Sequence, residues 1–225
     1  MQSLTIPTRQ KAGRLLGLKL KRLKLSNPIT LAISPEAVPI AFEVARFLNS
    51  PLELEISEKI IHPKNSHIVI GVATEEDFFL IEPKITETLN LHPADLETLL
   101  MSEARKIQKK SHLYKKDDPL LSIVERNVIL IDEKAITGST ARAAIETARI
   151  RGALQIHLAL ALCVDKIEKT IDKQSSPDSI TILSFLSREQ ITDTPWPPVT
   201  EEEIIELLKK SKRPSLTGRH KREAA

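Results

Sequence analysis

From Val128 to Ala144 the chain reads Val-Ile-Leu-Ile-Asp-Glu-Lys-Ala-Ile-Thr-Gly-Ser-Thr-Ala-Arg-Ala-Ala. Four consecutive apolar residues suit a strand buried on both faces, as in a parallel sheet. Two carboxylates follow at once, then a turn of small residues. A helix-forming run begins at Thr140 and is closed by Gly152. Parallel strands need a crossover connection, usually a helix, so this segment points to an α/β fold. It also sets Asp132 and Glu133 at the carboxyl end of a strand, where such sheets place their ligands.

The remaining sequence repeats the alternation. Thr8 to Leu25 reads as a helix with leucines among basic residues, ended by Asn27-Pro28. Ile29 to Ile33 is a short apolar strand, Ser34-Pro35-Glu36 a turn, and Val38 to Leu48 a helix that Pro51 ends. Leu52 to Ile56 completes a strand–helix–strand unit. Lys59 to His67 is polar and contains Pro63, which suits a mobile loop or hairpin tip. Ile68–Ala73 and Phe78–Ile81 read as strands, and Pro93 to Lys110 as a long polar helix. Leu154–Val164 and Ile180–Phe185 are the last strands. Thr200-Glu201-Glu202-Glu203 is a capping box opening a helix through Leu208. The fold class is α/β, with a mainly parallel central sheet covered by helices on both faces. Residues 1–210 are expected to form one domain and 211–225 a basic, disordered tail.

The strand–turn–helix segment has a definite chemistry. The first N–H groups of a helix lack partners, and with the helix dipole they suit an anion. Thr137, Ser139 and Thr140 add hydroxyl donors, and Gly138 lets the backbone curl around a phosphate. Asp132 and Glu133 do not belong on that phosphate. They suit sugar hydroxyls or a divalent cation close by, so the layout describes a sugar phosphate such as ribose 5-phosphate. The six glycines allow neither G-x-G-x-x-G nor G-x-x-x-x-G-K-[ST], which excludes a dinucleotide fingerprint and a P-loop.

Composition removes other classes. Aromatic residues are 3% of the chain, too few for the stacking platforms of a single-stranded nucleic-acid binder. Six histidines show no metal-ligand spacing. Cys163 is the only cysteine and sits in an apolar strand, which reads as a small buried hydrophobe in a reducing cytoplasm. No apolar leader and no run approaching about 18 apolar residues is present, so neither a signal peptide nor a membrane span is expected. The net charge is +3, with basic stretches at Arg9–Lys24 and Lys209–Arg222. The second is the one segment suited to nucleic acid or acidic lipid, and it reads first as a solubilising tail.

On these residues the segment Val128–Thr140 resembles the phosphoribosyl pyrophosphate (PRPP) loop of type I phosphoribosyltransferases. From about Gln10 to Leu208 the chain resembles a bacterial group of such proteins with undefined substrates. The matching stretches include Lys11–Leu16, Val38–Ala45, Ser111–Tyr114 and Glu202–Leu208. The resemblance implies a small hood over the sheet, formed by 1–25 and 165–200. It implies that Asp132 and Glu133 hold the ribose 2- and 3-hydroxyls. Ala135, Ile136, Thr137, Gly138, Ser139 and Thr140 would bind the 5-phosphate, and Lys59 would reach pyrophosphate. Mg²⁺ is expected with PRPP, held mainly by the substrate, with no metal ligands from the protein. Relatives of this class are often dimers, so a homodimer is an expected arrangement.

The resemblance is unequal along the chain. Where the group commonly reads Pro-Arg-Gly-Gly-Val-Pro in its pyrophosphate loop, this chain has Ser34-Pro35-Glu36-Ala37-Val38-Pro39. The arginine is gone, the glycines are replaced, and Glu36 turns a carboxylate towards an anion. Glu58-Lys59 stands for Arg-Lys. Ile136 stands where 6-oxopurine enzymes carry an aspartate, and Trp196 is the only aromatic near a shortened C-terminal stretch. Two readings follow. One is an enzyme transferring phosphoribosyl from PRPP to an unknown acceptor. The other is a catalytically impaired homologue that binds a nucleotide or ribose phosphate in a regulatory role. The Ser34–Ala37 stretch discriminates between them.

Overall fold

The computed structural model describes residues 6–75, 78–89, 91–116, 118, 120–164, 176–187, 190 and 196–212. Five strands form the central sheet: β1 (Pro28–Ala32), β2 (Leu52–Leu54), β6 (Asn127–Ala135), β7 (Gln155–Val164) and β8 (Ser179–Leu186). They are ordered β2-β1-β6-β7-β8, and every neighbouring pair is parallel. Helices α1 (Arg9–Leu20), α2 (Val38–Leu48) and α5 (Ser139–Ile150) connect or cover these strands.

Val128, Ile129, Leu130 and Ile131 are all fully buried, because β6 is the middle strand and both its faces are covered. Ile129 and Ile131 enter the core with Leu16 of α1 and Ile40 of α2, while Val128 and Leu130 enter a second core with Ile145 of α5. The chain moves from β1 outward to β2, then crosses back to lay β6 on the other side of β1. The strand order therefore reverses between β1 and β6, which opens a crevice at their carboxyl ends.

The crossover from β2 to β6 builds a second layer. Strands β3 (Ser57–His62), β4 (Asn65–Thr74) and β5 (Phe79–Ile81) form an antiparallel sheet, followed by α3 (Pro83–Thr88) and α4 (Pro93–Lys115). Of the two arrangements expected at 59–67, a mobile loop or a hairpin tip, the structure has the hairpin tip: Pro63-Lys64 is its turn and β3 and β4 are its arms. Helix α3 was not expected from sequence. Helix α6 (Glu201–Ser211) opens as the capping box requires, with Thr200 Oγ1 accepting from Glu203 N at 3.2 Å. Half of the expected hood segment at 165–200 and most of the tail at 211–225 lie outside the described residues, and within the described half Ser179–Leu186 is a strand of the central sheet. Ser211 itself is helical. Among the described residues no helix is long and apolar enough to cross a membrane.

Candidate functional site

The ladder between β1 and β6 continues past the last residue of β1, with Ile33 N donating to Ile131 O at 3.0 Å. That bond brings Ser34 beside Asp132. Ser34 Oγ donates to Asp132 Oδ1 at 2.7 Å, and Glu133 N donates to the same oxygen at 2.8 Å. Asp132 is only 6% exposed. Burial pushes its pKa up to about 7; the two hydrogen bonds act the other way, while the charges of Glu36 and Glu133 add to the rise.

Glu133 has a different environment, because consecutive residues of a strand point to opposite faces. Its Oε2 accepts from Arg9 Nε at 2.5 Å, and the two side chains are 3% and 9% exposed. Arg9 opens α1 and also donates from Nη1 to Pro197 O at 2.5 Å. Its guanidinium lies 5.4 Å from the ring centre of Trp196, whose Nε1 donates to Ile6 O at 2.9 Å. The two acidic residues are neighbours in sequence, but Glu133 is engaged by a buried cation while Asp132 meets Ser34. Nothing in the spacing of the first helix marks Arg9 for this role.

Ala135 ends β6 as a buried residue, and Ile136 and Thr137 emerge to solvent. Gly138 then adopts φ +76°, a left-handed conformation that favours glycine. It opens α5 without a side-chain cap, and Arg142 N donates to Gly138 O at 2.8 Å as the helix begins. Thr137 Oγ1 and Ser139 Oγ lie 3.0 Å apart across the turn. Thr140 is half-buried one residue further on. Arg142, one turn into α5, pairs with Glu82.

Across the crevice, Pro35–Ala37 forms a single 3₁₀ turn. Ala37 N donates to Ser34 O at 3.1 Å and Val38 N to Pro35 O. Proline has no N–H, so little of this segment's backbone faces outward as donors. Glu36 is exposed. Lys59 lies within β3 as an exposed residue opposite Val72, between Glu58 and the buried Ile60. Glu58 pairs with Lys110 of α4. Burial works to lower the Lys110 pKa, but the hydrogen bond and charge of Glu58 outweigh it, so the pKa is raised. Tyr114, one turn along, is raised by burial and by the charges of Glu201, Glu36 and Glu58. The charge of Glu36 acts on both Lys110 and Tyr114. A groove of about 720 Å³ lies elsewhere, lined by Phe42, Arg46, Pro51 and Lys210, and it contains none of these residues.

The site is thus the carboxyl end of a parallel sheet, where a buried aspartate precedes a Thr-Gly-Ser-Thr helix entrance in an α/β fold. The chain is 26% identical over 159 residues to "Putative phosphoribosyl transferase MT0597" of Mycobacterium tuberculosis strain CDC 1551 / Oshkosh. It matches "Putative phosphoribosyl transferase Rv0571c" of strain H37Rv equally well. The match covers 71% of this chain and 36% of each relative, so the chain spans about a third of their length. The fold is shared with TT1426 from Thermus thermophilus, at a TM-score of 0.75 and 21% identity, covering 92% of this chain and 99% of that one. No family model matches the chain. The chain is thus similar, over part of their length, to proteins named putative phosphoribosyl transferases.

Proposed function

We propose that the crevice binds the ribose 5-phosphate portion of a nucleotide-like ligand or of PRPP. The phosphate would rest on the turn from Ile136 to Thr140, and a sugar hydroxyl on Asp132. The observation that carries this reading is the entrance of α5, whose N-cap residue is a glycine and whose first N–H, that of Ser139, has only a long 3.4 Å bond to Thr137 Oγ1. Gly138 turns it, the hydroxyls of Thr137 and Ser139 meet across it, and it comes six residues after a buried carboxylate. Helix-terminal N–H groups with flanking hydroxyls form an anion site, and an aspartate accepts a hydrogen bond from a sugar hydroxyl.

The ligand's phosphate end has its donors; the opposite end does not. With Pro35 lacking an N–H, Ala37 and Val38 bonded internally and Glu36 exposed, a pyrophosphate group would meet one carboxylate and few donors. Binding of ribose 5-phosphate without turnover is thus the reading the geometry supports best. Phosphoribosyl transfer from PRPP is the second, favoured by the names of the relatives. In that reading Mg²⁺ would arrive with pyrophosphate and neutralise the leaving group. That ion is expected to be held mainly by the ligand's own oxygens.

Calorimetry and thermal melts with ribose 5-phosphate and PRPP, each with and without Mg²⁺, test both readings. Ribose 5-phosphate is expected to bind and to raise Tm by mass action, by about 2.7 kcal/mol of added stability at a hundredfold excess over Kd. PRPP is expected to bind no more tightly. Absence of heat and of a Tm shift at millimolar ribose 5-phosphate overturns the reading. PRPP binding more than about tenfold tighter, with pyrophosphate released to some base, moves the conclusion to transfer.

A further inference from the structure

A site that reads both hydroxyls of a ribose through two carboxylates needs both carboxylates on the ligand's side. Here they diverge. Asp132 stays at the crevice with Oδ1 held by Ser34 Oγ at 2.7 Å, and among the described residues no hydrogen bond is made to its Oδ2. Glu133 is 2% exposed and turned to the α1 face, with Oε2 at 2.5 Å from Arg9 Nε. The arginine cannot readily follow a ligand. It is tied to Pro197 O, packed beside Trp196, and only 8% exposed. Trp196 is itself buried and bonded to Ile6 O, so three separate segments of the chain close around one guanidinium. Freeing Glu133 would leave the arginine's charge buried and unpaired, a costly state.

We infer that this site reads its sugar through one carboxylate, Asp132, while Arg9 keeps Glu133 away from the ligand in a buried pair. The ligand class therefore extends to deoxyribose phosphates that keep the one hydroxyl Asp132 takes. This rests on the ribose-phosphate reading above and narrows it: discrimination is strong at one ring position and weak at the other.

The unmodified full chain tests this with three probes: ribose 5-phosphate, 2-deoxyribose 5-phosphate and 3-deoxyribose 5-phosphate, compared by calorimetry. One deoxy sugar is expected to bind within about threefold of ribose 5-phosphate and the other to lose about tenfold or more, the scale of one charge-assisted hydrogen bond. Losses of tenfold or more for both overturn the inference, and so does no loss for either. No binding of ribose 5-phosphate at all overturns the underlying reading instead, so the two failures are distinguishable. Variants supply the second readout. Asp132→Asn is expected to lose affinity for ribose 5-phosphate about tenfold. The double replacement Arg9→Met with Glu133→Leu removes the buried pair without stranding either charge. It is expected to keep both wild-type affinity and the one-sided preference among the deoxy sugars. Loss of affinity in that double variant, with its circular dichroism unchanged, overturns the inference.

Discussion

Asp132 sits in an environment far from that of an exposed aspartate. Its ordinary pKa is 3.8, and burial pushes it to about 7 in the folded chain. Below pH 3.8 the carboxyl is protonated whether folded or not, and it costs nothing. As pH rises from there, the unfolded chain ionises while the folded chain keeps its proton, so stability falls until about pH 7 and then levels. The full loss is of the order of 4 kcal/mol. Asp132→Asn removes that loss while keeping an oxygen to accept from Ser34. The variant is expected to melt above the wild type at pH 8 and alongside it near pH 4, with thermal melts at the two values as the check. A variant no more stable at pH 8 would mean that Asp132 ionises freely. The motif around this residue was legible in sequence as a carboxylate beside a phosphate turn. The division of labour between Asp132 and Glu133 was not, because it depends on Arg9, more than a hundred positions away, and on Trp196 and Pro197.

Helices α1 and α2 meet closely, and the contact passes through Gly13. A Cβ there would stand 2.6 Å from Glu43 Cβ and 2.6 Å from Ile40 O. One of those atoms is backbone, so the helices must part to admit a methyl group. Gly13→Ala is expected to cost about 1–3 kcal/mol despite alanine's better helix propensity, read as a lower urea midpoint. An unchanged or higher midpoint would show that the helices separate freely. Helix α4 is fixed differently, by a buried cation. Lys115 Nζ lies 2.6 Å from Glu75 and 3.6 Å from Glu53, and Ser111 Oγ donates to Glu75 at 2.5 Å. That network joins α4 to β2 and to the turn after β4. The five strands of the central sheet and helices α1, α2, α4, α5 and α6 were readable from apolar runs, caps and breakers. The core of β4, Ile68–Ala73, was readable too, but β3 was not. The register between the two shifts at Ile60/Ile61 and again at Ile61/His62, which breaks the two-residue alternation that marks a half-buried strand. Helix α3 has six residues, two of them threonine, and its burial is set by neighbours more than by its own pattern.

At the scale of the whole molecule, two layers share one crevice. The parallel sheet supplies Asp132 and the entrance to α5, and the β2–β6 crossover supplies Glu58, Lys110 and Tyr114. The chain's small net charge of +3 hides this local contrast, in which donors gather at one end of the crevice and carboxylates at the other. The 3₁₀ turn at Pro35–Ala37 limits what a single substitution can do. An arginine can be supplied by replacing one residue, but backbone donors cannot: Pro35 has no N–H and those of Ala37 and Val38 are spent inside the turn, which leaves Glu36 N. Glu36→Arg is therefore expected to leave PRPP binding within about threefold of ribose 5-phosphate binding, measured by calorimetry. A tenfold gain for PRPP from that single change would show that charge was all that was missing. With charge and backbone both set against an anion, a change of charge alone does not turn this segment into an anion cradle; a replacement at Pro35 has to accompany it.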